Sequence, residues 1–160
     1  MTSARQPLKQ TEPPSTVAEL EAFMPYLVNR LASLGLAAQN RALDRHDINT
    51  VVLRALSILH IENGLTVNEI AARCFADQST ASRTIDAMAA AGWVDRRIPD
   101  ADMRRREIIL TEAGRNMLHN CWPAMESHYA RLIEGIDDAD LATCRRVLRQ
   151  MTGNLRQGGG

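Results

Sequence analysis

Aromatic residues make up only 4% of this 160-residue chain, and lysine occurs once, at Lys9. Against 45% apolar residues, so few aromatics leave helices packed through Leu, Ala, Ile, Val and Met as the default core. No apolar run approaches the ~20 residues a helix needs to cross a bilayer, so no membrane partner is expected. The opening MTSARQPLKQTEPPST is polar and proline-bearing, without the apolar stretch of a secretory signal. Residues 1–15 therefore read as a disordered arm and the chain as cytoplasmic. Residues 155–160, ending Gly158-Gly159-Gly160, read as a flexible tail.

Cysteine is also scarce. Cys74, Cys121 and Cys144 are odd in number and form no CxxC pair, so neither a disulfide framework nor a zinc site is expected. They read as reduced, buried thiols. Catalytic spacings are missing too: no Ser-His-Asp, Cys-His or H-E-x-x-H arrangement and no Gly-rich phosphate loop occurs. His46-Asp47 and His60 stand apart, and the spacing of His119 from His128 puts them on opposite faces of a helix. No catalytic residue, cofactor or metal is expected, which argues against an enzyme.

Net charge is zero, but it is unevenly spread. Residues 73–106 hold seven arginines against five aspartates, whereas residues 107–140 hold seven acids against two arginines. A basic centre is thus offset by an acidic stretch, and local distribution matters more than the sum for a nucleic-acid partner.

Periodicity organises the rest. Pro25 suits a first helical turn, and Leu27, Leu31, Leu34 and Ala38 then mark an amphipathic helix to Asp44. Residues 16–24 either extend it or form an entry turn. A second helix is predicted over 47–62, nearly apolar all round and so buried, ending at Asn63-Gly64. Thr66-x-x-Glu69 is a capping box opening a short helix. After Phe75-Ala76, Asp77 can cap a helix from Gln78 to Ala91 with Ala81, Ile85, Met88 and Ala89 inward and Gly92 as its stop. Two strand-length segments, 93–98 and 106–110, flank a polar turn and predict a hairpin. Thr111 opens a long helix to about Ile133, which Pro123 is expected to kink. A last helix from Asp137 carries the stripe Leu141, Cys144, Val147, Leu148, Met151. The fold class is mainly α with a small β-wing: a winged helix-turn-helix over 47–111, between dimerisation helices at 16–46 and 112–154.

The pair of short helices carries the chemistry. Gln78, Ser79, Thr80, Ser82 and Arg83 put hydrogen-bonding tips on the first turns of the second helix, as major-groove reading requires. An ordinary capped surface helix would use the same residue types. The run Arg104-Arg105-Arg106 tips the balance, because at a hairpin tip it has no core role and suits a minor groove or phosphates. Asp102 could pair with an arginine and position the wing.

Leu65-Thr66-Val67-Asn68-Glu69-Ile70-Ala71, Asp77-Gln78-Ser79-Thr80-Ala81-Ser82-Arg83 and Gly92-Trp93-Val94-Asp95-Arg96 together resemble the MarR (multiple antibiotic resistance regulator) family. So does Asp102-Met103-Arg104 followed by Leu110-Thr111-Glu112-Ala113-Gly114, and the resemblance spans roughly residues 25–153. It implies a homodimer that reads a pseudo-palindromic double-stranded DNA operator, with Arg104 entering the minor groove and Asp102 as its partner. It also implies a repressor released by a small aromatic or anionic effector, with Tyr26, Arg30, His46 and Trp122 as candidate pocket residues. Peroxide-sensing members carry a reactive Cys in the first long helix, and this helix has none. The alternatives are a thiol-based redox-sensing regulator and a winged-helix protein-interaction module that does not bind DNA.

Overall fold

A computed structural model describes residues 12–99 and 103–157, in two units that meet inside one helix, the first ending at Ala38 and the second beginning at Gln39. The arm expected over 1–15 therefore lies mostly outside the described residues, as do Asp102 and the three terminal glycines.

In the first unit, the 16–24 segment holds a separate short helix, α1 (Val17–Ala22). Thr16 Oγ1 accepts from the Glu19 backbone N–H, and the Glu19 carboxylate accepts in turn from the Ser15 N–H at 2.8 Å. Phe23 then takes an extended conformation, which interrupts the helix before α2 (Met24–Leu43) begins. Pro25 sits in the first turn of α2, where its missing N–H has no intrahelical partner to lose. Leu27, Leu31 and Leu34 of this helix are exposed.

The second unit opens with a correction to the predicted helix 47–62. A 3-10 turn (Asp44–His46) is followed by Asp47 in the left-handed region at φ 56°, so α3 spans only Thr50–Ile61. Asn49 sets that start, its Oδ1 accepting from Val51 and Val52, while Asn40 Oδ1 accepts from the Thr50 N–H at 2.9 Å. Val52, Leu53, Ala55, Leu56 and Leu59 of α3 are buried, as its all-round apolar pattern predicts.

Next come α4 (Val67–Cys74) and α5 (Gln78–Ala90), joined through Phe75 at φ 54°. Ala81, Ile85 and Met88 of α5 are buried, with Ala89 packed at the edge of the core. Strands β1 (Val94–Arg97) and β2 (Glu107–Leu110) pair antiparallel, Val94 opposite Leu110 and Arg97 opposite Glu107. The hairpin is extended at its base by Leu65, which bridges Ile108, and by Asn63 Oδ1, which accepts from the Leu110 N–H at 2.8 Å.

The chain closes with α6 (Glu112–Leu132) and α7 (Asp138–Gln157). Helix α6 continues past Pro123 to Leu132, and α7 runs to Gln157, past the predicted end at 154. Leu118, Cys121, Ala124 and Met125 tie α6 to the core around α3. The stripe on α7 behaves otherwise: Leu141 and Met151 are half-buried, but Cys144, Val147 and Leu148 are exposed. The expectation of three buried thiols is thus corrected at Cys144, because none of the described residues covers that face of α7.

Candidate nucleic-acid interface

Helix α5 starts where its cap puts it. Asp77 Oδ1 accepts from the Thr80 N–H at 2.8 Å, and Thr80 Oγ1 donates to the other carboxylate oxygen at 2.7 Å. Those bonds, the side-chain one foremost, hold the Asp77 carboxyl below its ordinary range. The bonds engage the Thr80 side chain, while Gln78, Ser79 and Arg83 are exposed and Ser82 is half-buried. Arg83 folds back, its guanidinium donating to the Ser79 carbonyl and hydroxyl at 3.4 Å each. The first turns of α5 therefore present a short polar face, backed by a buried Ala81-Ile85-Met88 stripe that holds its pitch.

Arg105 ties the wing to α4. Arg105 donates from Nη2 to Glu69 Oε2 (3.0 Å) and to the Gly64 carbonyl (3.2 Å), and from Nε to Glu107 Oε1 (3.2 Å). Glu69 meanwhile completes the capping box, accepting from the Thr66 N–H at 2.7 Å. The Thr66 bonds and then Arg105 hold the Glu69 carboxyl below its usual range. The three wing arginines thus divide. Arg105 is half-buried and turned inward; Arg104 and Arg106 are exposed, Arg106 donating to the Met103 carbonyl at 3.1 Å. Two further ion pairs brace the lobe: Arg96 with Asp86, and Arg73 with Glu62.

Where α6 begins, Thr111 locks the hairpin to the helix. Its N–H donates to the Trp93 carbonyl at 3.0 Å, its hydroxyl donates to the Gly92 carbonyl at 2.7 Å, and its Oγ1 accepts from the Gly114 N–H at 3.1 Å. A Cβ on Gly114 would stand 2.2 Å from the Trp93 carbonyl oxygen, which explains the glycine.

The expected effector residues are spread out. Tyr26 and Arg30 belong to the first unit, with Arg30 paired to Glu21 at 3.1 Å. In the second unit His46 accepts from Arg45 Nε at 3.2 Å, and Trp122 is half exposed. Two cavities of that unit are lined by neither. One, about 430 Å³, lies between the 44–52 corner and the C-terminal end of α5, with Asp44, Asp47, Met88 and Trp93 in its wall. The other, about 610 Å³, runs between residues 41–45 and α6 and carries Arg41, Arg45 and Arg131. Neither was foreseen; the only trace in sequence is the one-turn spacing of Arg41 and Arg45.

Burial raises the thiol pKa of both Cys74 and Cys121 and disfavours their thiolates. Among the described residues there is no group of three or more His, Cys, Asp or Glu able to hold a metal, and no helix is long and apolar enough to cross a membrane.

The MarR family model matches residues 46–106, from the 3-10 turn to the end of the wing loop. A solved MarR family transcriptional regulator from Silicibacter pomeroyi DSS is 34% identical, with a TM-score of 0.81 over 89% of this chain and 95% of that one. CouR from Rhodococcus jostii RHA1, solved with p-coumaroyl-CoA, is 24% identical (TM-score 0.74; 82% of this chain, 93% of that one). The repressor CouR bound to a 23-mer DNA duplex gives 18% and a TM-score of 0.77 over 88% and 99%. The transcriptional repressor MprA of Escherichia coli K12 is 23% identical over 139 residues, 86% of this chain and 79% of that protein. A winged lobe built on capped helices, matched along nearly its whole length by a relative of this similarity, identifies the chain as a member of the MarR family of transcriptional regulators.

Proposed function

We propose that the protein is a homodimeric, ligand-responsive repressor that binds a pseudo-palindromic operator. The observation that carries this reading is the polar face of α5, exposed at its N-terminal turns and flanked by the wing. Gln78, Ser79 and Ser82 read base edges or phosphates from the major groove, and Arg83 swings off Ser79 to pair with a base or phosphate. Thr80 holds the cap and contributes its remaining lone pairs. Arg104 enters the minor groove and Arg106 meets the backbone, with Asp102 positioning the tip. Arg105, expected from the sequence among these contacts, supports them by bracing the wing on α4 through Glu69, Glu107 and the Gly64 carbonyl. CouR bound to duplex DNA, on the same fold, supports the DNA partner, and CouR and MprA support repression. A DNA-reading role places the chain in the cytoplasm and gives it no catalytic step.

The dimer reading rests on the apolar residues exposed on α2 and α7, Leu27, Leu31 and Leu34 on one and Val147 and Leu148 on the other. A second copy covers them, and the chain should run as a dimer by light scattering at micromolar concentration. A small aromatic or anionic effector, reached through Tyr26, Arg30, His46 and Trp122, releases the DNA; CouR with p-coumaroyl-CoA is the supporting case. Fluorescence anisotropy with duplex from upstream of its own gene tests the core claim. Wild-type protein should bind that duplex in preference to a scrambled one. Arg83→Ala and Arg104→Ala should each weaken the complex, and equal affinity for all three proteins would overturn the reading.

A further inference from the structure

The 610 Å³ groove between residues 41–45 and α6 has an unusual wall. Arg41 and Arg45 stand one helical turn apart and Arg131 approaches from α6, so three permanent cations line one opening. Like charges at that spacing repel, and carboxylates ordinarily relieve such clusters. Among the described residues none does: no carboxylate lies within ion-pair distance of Arg41, Arg45 or Arg131. Asp44, in the turn beside them, lines the other cavity. Arg41 and Arg131 sit in the last turns of their helices, where the helix dipole favours cations. That accounts for their positions but not for their convergence on one groove.

The rest of the wall offers no competing anion. Ala42 and Ala124 contribute methyl groups, and the Ser127 hydroxyl already donates to the Pro123 carbonyl at 2.9 Å. Donors in the groove therefore come from guanidinium groups, and an occupant must supply acceptors and negative charge. The volume exceeds that of a single ion and lies within the range of small-molecule sites, roughly 300–1,000 Å³. Guanidinium forks match tetrahedral phosphate oxygens bidentately, and several of them favour a group with more than one negative charge over a single carboxylate.

We infer that this groove binds a phosphate-bearing organic anion. Arg41 and Arg45 grip the phosphate from one side, Arg131 from the other, and the alanine floor takes the organic body. None of the four residues expected of the effector pocket lines the groove, although His46 adjoins it by accepting from Arg45 Nε at 3.2 Å. The site stands independently of the DNA-reading assignment. It has a built-in route to the DNA lobe. Arg45 belongs to the 3-10 turn that leads through Asp47 to the cap of α3, and that corner forms one wall of the second cavity, opposite the C-terminal end of α5.

Isothermal titration of the full-length protein with inorganic pyrophosphate, and with benzoate as the monocarboxylate comparison, tests the inference. Pyrophosphate should bind in the absence of DNA, more tightly than benzoate. The double variant Arg45→Gln/Arg131→Gln should weaken it by about tenfold or more, while Arg149→Gln, exposed on α7, should leave it unchanged. If the double variant fails to fold by circular dichroism, Arg45→Lys takes its place, since an ammonium keeps the charge but loses the fork and should still bind more weakly. The inference falls if pyrophosphate does not bind, if benzoate binds as well, or if the variants bind like wild type. It also falls if the double variant turns monomeric or loses salt dependence on DNA, because the arginines then serve a second copy or DNA phosphates.

Discussion

Gly114→Ala adds one methyl group where the wing, the core and α6 meet, and the cost can be worked from its surroundings. The new Cβ would stand 2.2 Å from the Trp93 carbonyl oxygen and 2.6 Å from Leu110 Cδ1. Leu110 can change rotamer, although it is fully buried. Trp93 cannot easily move, because its carbonyl accepts from Thr111 at 3.0 Å and its N–H donates to Met88 at 2.9 Å. Relief therefore requires the hairpin to shift by about 1 Å away from α6, a strain at the upper end of the ~1–3 kcal/mol typical of overpacking. Alanine returns up to ~1 kcal/mol through its better helix propensity. The net loss is about 2 kcal/mol, or roughly 4–8 °C in melting temperature for a chain of this size. Gly153→Ala on α7 is the matched control: a Cβ there meets nothing within 4 Å, so only the propensity gain remains and stability should rise by ~0.5–1 kcal/mol. Thermal unfolding followed by circular dichroism measures both. A Gly114→Ala protein that melts at or above wild type would refute the tight hairpin–helix joint.

Arg104→Ala and Arg105→Ala should weaken DNA binding in different ways. The first removes a cation seated in the minor groove and should lower the salt dependence of the affinity by about one released counterion. The second should leave that slope unchanged while reducing affinity, because Arg105 points at Glu69, Glu107 and the Gly64 carbonyl. A reduced slope for Arg105→Ala would return that residue to the DNA surface. Titration of the native protein with a thiol-reactive disulfide should leave Cys74 and Cys121 unmodified until denaturant is added, since both thiols are buried and their pKa values raised; rapid native labelling of either counts against the core packing. Acid should loosen the two helix caps. Glu69 and Asp77 lie below their ordinary values of 4.5 and 3.8, so their stabilisation is complete above those values and fades as the pH falls through the lowered ones. Urea midpoints at about pH 6 and about pH 3 should differ more in wild type than in Glu69→Gln; equal differences would remove the Glu69 contribution.

Features that depend on neighbours along the chain were legible in the sequence. The Thr66–Glu69 capping box, the Asp77 cap and the strand–turn–strand of the wing involve partners three residues apart or a single turn. Residue type and spacing suffice there, because backbone geometry brings such groups together in any context. The start of α3 was misjudged for a related reason. Asp47 resembles an N-cap, but it takes the left-handed conformation and leaves the capping to Asn49.

Residue chemistry also marked the wing as basic, yet it could not tell Arg105 from its neighbours. Its partners, Glu69 and the Gly64 carbonyl, lie 36 and 41 residues away, and only packing of the hairpin on α4 brings them within 3.2 Å. The cavities were hidden for the same reason, since Arg41 and Arg131 come to line one groove only when residues 41–45 pack beside α6. On α7 the apolar period was correct, but period alone cannot say whether a stripe faces its own core. Local order follows from the chain's own covalent spacing, whereas inward or outward orientation at Arg105, Cys144 and the arginine groove is set by contacts that exist only once distant segments pack.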